Sequence, residues 1–121
     1  MSPLRVILVE DEALVAMMME DLLEELGCQI VASFGSLTPA LEWLASQEAP
    51  RLDGAVLDVN LGGGENVFPL AAALRERGVP FVFATGYGVL PESGFAEATV
   101  LQKPVDLGML WPVVETFRTA A

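Results

Sequence analysis

The sequence predicts an open, doubly wound α/β sheet of five parallel strands, each followed by a helix. Two observations predict it. Short apolar runs rich in branched residues alternate five times with longer stretches of helical spacing, across 121 residues without linker, internal repeat or low-complexity segment. The short runs are apolar on both faces, GAVLD at 54–58 most plainly, and such strands belong to parallel sheets covered by helices on each side. Five units are too few for an eight-fold barrel, and in open sheets of this kind ligands bind beyond the carboxyl ends of the strands.

Each element has its own reason. LRVILV (4–9) is too short for a free-standing helix and reads as the first strand. In the helix that follows, 12–27, Val15, Met19, Leu22 and Leu26 share a face, and Gly27 stops it. Within it, Met17, Met18 and Met19 read as core packing. CQIVASF (28–34) is the second strand, and 37–49 a helix entered through Ser36 or Thr38 with Pro39 early. After the third strand, ENVFPLAAALRERG (65–78) is a helix closed by Gly78, and VPFVFAT (79–85) the fourth strand. Three glycines and Pro91 leave at most a short helix in 86–98. ATVLQ (98–102) is the fifth strand, and 106–120 the last helix, with Pro112 an expected irregularity. Trp43 and Trp111 read as helix anchors to the core.

Composition narrows the chemistry. Seventeen acids against six bases give a net charge of −11, which argues against nucleic acid as a direct partner. There is no histidine, so Ser-His-Asp and Cys-His catalysis, histidine-ligated zinc and a phosphohistidine role are all excluded. No apolar run reaches the ~18 residues of a membrane span. The acidic start is no signal peptide, and the single cysteine, Cys28, fits a cytoplasmic location. With no cysteine or histidine companion, Cys28 reads as a strand residue.

Four of the five strands deliver polar residues to one rim. Glu10, Asp11 and Glu12 follow the first, Asp58 ends the third, Thr85 ends the fourth, and Lys103-Pro104 follows the fifth. The second ends in the blander Phe34-Gly35-Ser36. An acidic pair, an Asp, a Thr and a Lys-Pro at those strand ends resemble the receiver domain of two-component response regulators, over essentially the whole chain. The resemblance implies a flavodoxin-like (CheY-like) sheet in the order 2-1-3-4-5, and a single receiver domain over 1–121 with no output domain.

In that order the first and third strands are neighbours, ~4.8 Å apart, and Asp11 faces Asp58. Two carboxylates ~4 Å apart repel by ~4 kcal/mol at an effective dielectric of ~20. Three carboxylates, with Glu10, and the Lys103 ammonium leave a charge of −2, which a divalent cation would neutralise. An oxygen-rich site suits Mg²⁺ or Mn²⁺ rather than zinc.

By the same resemblance Asp58 is the phosphoacceptor, taking a phosphoryl group from a sensor histidine kinase or a histidine phosphotransfer protein. Asp11 is the main metal ligand, Glu10 acts through water, and Asn60 gives its backbone carbonyl. Thr85 and Lys103 hold phosphoryl oxygens. Gly62, Gly63 and Gly64 form a loop able to admit a donor closely. The expected output is conformational signalling, with no catalysis beyond the domain's own Mg-dependent phosphorylation and dephosphorylation.

Two other functions compete for the same residues. A haloacid-dehalogenase-like Mg-dependent phosphatase also uses a strand-end Asp, but it needs a second Asp two residues on, where this chain has Asn60, and room for a cap. A phosphorylation-dead interaction module conflicts with the intact Asp11, Asp58, Thr85 and Lys103.

The chain also departs from the commoner receiver pattern. Val100 stands where many receivers carry an aromatic switch residue. Phe83-Ala84-Thr85-Gly86, followed by Tyr87, resembles the receiver subgroup named for its Phe-Ala-Thr-Gly motif (FATGUY), found with kinases of the HWE and HisKA_2 types. This points to 86–97 as the moving part.

Overall fold

A computed structural model describes residues 3–46, 50–62, 64–86, 93–95 and 97–120. Its elements run β1 (Leu4–Val9), α1 (Ala13–Glu25), β2 (Cys28–Phe34), α2 (Leu37–Ala45), β3 (Gly54–Asp58), α3 (Phe68–Glu76), β4 (Phe81–Thr85), a 3-10 turn (Ser93–Phe95), β5 (Val100–Gln102) and α4 (Leu107–Ala120). All strand pairs are parallel and the order is β2-β1-β3-β4-β5. The doubly wound, CheY-like fold is therefore the one expected.

Alternation along each strand sorts the core into two layers. Ile7, Val9, Ala55, Leu57 and Phe83 pack on the side of α2 and α3. Val6, Leu8, Val56, Val82 and Leu101 pack on the side of α1 and α4. β3 is buried at every position because it is central and covered on both faces. Gly54 is required there: a side-chain carbon would overlap the ring of Phe117 from α4.

Several expectations are corrected. The buried face of α1 is Ala16, Met19 and Leu23, with Val15, Leu22 and Leu26 only partly buried. Met17 and Met18 lie about 100° and 200° round from Ala16, and each is 60% exposed; of the three methionines only Met19 packs inside. Trp111 is 56% exposed, because α4 buries Leu110, Val113, Val114 and Phe117 and turns it outward. Trp43 does anchor α2, with its ring 5.7 Å from Phe34.

α4 runs through Pro112 without a break. α3 begins at Phe68 rather than Glu65, since Glu65 and Asn66 are used by the preceding loop. Between β4 and β5 only the 3-10 turn appears among the described residues; Tyr87 and Pro91 lie outside them. No helix among the described residues is long and apolar enough to cross a membrane. Cys28 is the buried first residue of β2, where burial above all pushes its thiol up to about 11, so it stays protonated.

Candidate functional site

The sheet register builds the site. Val9 pairs with Leu57, so Glu10, the next residue, arrives beside Asp58. Asp58 pairs with Ala84 and Thr85 with Gln102, which brings Thr85 and Lys103 to the same rim. The Lys103 amide also donates to the Thr85 carbonyl at 2.9 Å. The Lys103-Pro104 peptide is cis. Asp11, Glu12, Asp58, Asn60, Gly62, Gly86 and Lys103 line an open cleft of about 460 Å³.

Glu10, Asp11 and Asp58 each offer a carboxylate oxygen, all within 4.8 Å of one another. Glu10 and Asp58 are buried, and Asp11 is exposed toward the cleft. Lys103 Nζ lies 2.6 Å from Glu10 Oε1 and 3.3 Å from Asp58 Oδ1. Glu10 Oε2 also accepts from the Glu12 amide at 3.2 Å, so Glu10 is held from both sides. Glu12 is the N-cap of α1 but makes no side-chain cap bond.

The charges do not balance, and Asp58 bears the consequence. Burial first, then a hydrogen bond with Asp11 and the charge of Glu10, push Asp58 up to about 7, and Lys103 only partly offsets them. Burial alone would lower Lys103, but its hydrogen bond to Glu10 and the Asp58 and Glu10 charges leave it raised, so it stays a cation.

The loop after Asp58 closes on itself. Asn60 and Asn66 form an antiparallel bridge, made by Val67 N–H to the Val59 carbonyl (3.2 Å) and Leu61 N–H to the Glu65 carbonyl (3.0 Å). Neither bond uses the Asn60 carbonyl. Gly62 (φ +79) and Gly64 (φ +80) allow the turn, whereas Gly63 lies outside the described residues.

The structure thus brings together Glu10, Asp11, Asp58, Asn60 and Lys103, with Thr85 buried at the adjoining strand end. Val100 pairs with Phe83 and is half-buried, in the place of an aromatic switch residue. Sequence reasoning missed Glu65, assigned to a helix start but in fact hydrogen-bonded to α2. Its signal was weak, since an acid before an apolar run is also what a helix start looks like.

A family model described as the response regulator receiver domain matches residues 6–114. The chain is 39% identical to SdrG from Sphingomonas melonis Fr1, whose solution structure superposes with a TM-score of 0.81 over 98% of both chains. The BeF3-activated conformation of SdrG from Pseudomonas melonis Fr1 is similar at 42% identity and TM-score 0.73, over 95% of this chain and 97% of that one. A CheY-like receiver domain from Methylobacillus flagellatus is similar at 28% identity and TM-score 0.78, over 96% and 99%. No curated protein sequence gives a match. Nothing in the fold or in these likenesses favours a dehalogenase-like phosphatase. With its sheet order, its acidic rim and a family match over most of its length, the chain belongs to the response regulator receiver domains of two-component systems, which accept a phosphoryl group from histidine kinases.

Proposed function

We propose that Asp58 is the phosphoacceptor and that Glu10, Asp11, Asn60, Thr85 and Lys103 serve it. The observation that carries this is the meeting of three carboxylates and one ammonium at the carboxyl end of a central, fully buried strand. An Asp58 carboxylate oxygen would form a bond to phosphorus as the P–N bond of the donor's phosphohistidine breaks. Lys103, already 3.3 Å from Asp58 Oδ1, is placed to pair with a phosphoryl oxygen. Thr85, at the end of β4, supplies a hydroxyl on the same rim. Catalysis here is positioning and charge neutralisation.

A divalent cation fits the donor set, because three close carboxylates with Asp58 raised to about 7 carry more negative charge than Lys103 offsets. Asp11 and Asp58 would hold it directly, Glu10 through water, and Asn60 by its backbone carbonyl. Bound there, Mg²⁺ or Mn²⁺ supplies positive charge to the phosphoryl oxygens. The Phe83-Ala84-Thr85-Gly86 sequence supports a donor kinase of the HWE or HisKA_2 type. A cytoplasmic location agrees with the single free thiol. The domain's output is conformational, and its own phosphorylation and dephosphorylation are its only chemistry.

Intact mass after acetyl phosphate with Mg²⁺ tests the acceptor. Wild-type protein should gain one phosphoryl group and Asp58→Asn none. Full labelling of Asp58→Ala would sink the assignment.

A further inference from the structure

The loop between β3 and α3 is fixed at one residue from two directions. Inside the loop, the Glu65 amide donates to the Gly62 carbonyl at 2.9 Å, and the Glu65 carbonyl accepts from Leu61. Outside it, Glu65 Oε1 accepts from the Leu37 amide at 3.0 Å, across 28 residues of sequence, in a part-buried position. Leu37 is the first residue of α2, a helix that lacks any local cap. Its N-cap Ser36 makes no side-chain cap bond, and no acid lies in its first turn. A carboxylate from another segment therefore meets both the orphan amide and the positive end of the helix.

The far side of the loop faces the site. Gly62 lies so close to Asp11 that a side-chain carbon on it would sit 3.4 Å from Asp11 Oδ2. Asn60 and Gly62 line the same cleft as Asp58. A glycine-rich turn has little stiffness of its own, so an outside anchor sets where its backbone rests.

We propose that Glu65 is a positioning residue for the phosphoacceptor site: its carboxylate ties the 59–67 loop to the first amide of α2 and so holds Asn60 and Gly62 beside Asp11 and Asp58. This rests on the roles given above to Asp58 and Asp11. It also makes α2 part of the apparatus that holds the site in shape, although that helix contributes no residue to the cleft.

The test compares Glu65→Ala, Glu65→Gln and Leu37→Pro with the wild type. Glutamine keeps an acceptor oxygen. Proline removes the donor N–H at a first helical position, where it is well tolerated, after a Ser36 already extended at φ −149° and ψ 165°. In metal-free protein, E65A should speed amide exchange in 59–67 by about tenfold, the worth of a charge-assisted hydrogen bond. L37P should do the same, and E65Q should restore most of the protection. E65A should also weaken Mg²⁺ binding severalfold by calorimetry while leaving Asp58 labelled at saturating Mg²⁺.

If E65A lowers thermal stability but leaves loop exchange and Mg²⁺ affinity unchanged, Glu65 is only a cap for α2 and the proposal is overturned. Should L37P fail to fold, the E65A and E65Q pair still decides. Exchange is read without phosphodonor or metal, so wild-type protein that takes no phosphoryl group would instead strike the Asp58 assignment.

Discussion

At Asp58 the folded protein holds a proton that the unfolded chain releases near 3.8 and the native site releases near 7. Between those values the native state binds more protons than the unfolded state, so its stability falls as pH rises. The expected signature, in metal-free protein, is a stability that declines from about pH 4 to about pH 7, at up to ~1.4 kcal/mol per pH unit. Denaturant titrations across that range should show the slope, and Asp58→Asn should flatten it. A wild-type profile that rises with pH over the same window would contradict the crowding of Glu10, Asp11 and Asp58. Lys103 cannot cancel this slope because it remains charged throughout the window and is shared with Glu10.

Among the described residues of the connection from β4 to β5, Phe95 makes the aromatic anchor. Phe95, buried in the 3-10 turn, stacks on Phe68 of α3 at 5.2 Å and meets the edges of Phe83 and Phe81 at 5.6 and 6.1 Å. Arg75 of α3 closes over it, 4.4 Å from the ring centre, and donates to the Gly94 carbonyl at 3.1 Å. Phe83 lies two residues before Thr85 on β4 and pairs with Val100, so the cluster ties the end of β4 to the connecting segment. Phe95→Ala should cost about 3 kcal/mol or more and loosen 86–98 in particular. Arg75→Ala should cost roughly 0.5–1 kcal/mol, as an exposed cation–π contact does. Amide exchange with and without BeF₃⁻ and Mg²⁺ should place the main protection changes in 86–98, and Phe95→Ala should blunt them. Changes clustered on α1 or α4 instead would remove this segment from the switch.

For the whole molecule, cation binding and folding are linked, because the three carboxylates are gathered only by the folded sheet. Mg²⁺ at a hundred times its dissociation constant should add about 2.7 kcal/mol, or roughly 10 °C in Tm for a chain of this size. Asp11→Ala should lose most of that increment and, without metal, should melt slightly higher than wild type, since one crowded carboxylate is gone. An undiminished Mg²⁺ increment in that variant would remove Asp11 from the ligand set.

The sequence by itself determined the strands, their parallel pairing and the residues at their carboxyl ends. Those depend on local periodicity and on short apolar runs that must be covered on both faces, as GAVLD is. It did not determine how far each helix face turns, so Met17, Met18 and Trp111, apolar residues at helical spacing, lie exposed rather than in the core. A shift of one position in the buried stripe depends on how α1 and α4 pack against the sheet and each other. Nor did it determine that Glu65 belongs to a loop and reaches α2, because that bond joins residues 28 positions apart. Its energy exists only once the β3–α3 loop and the start of α2 lie side by side, and no local pattern encodes that.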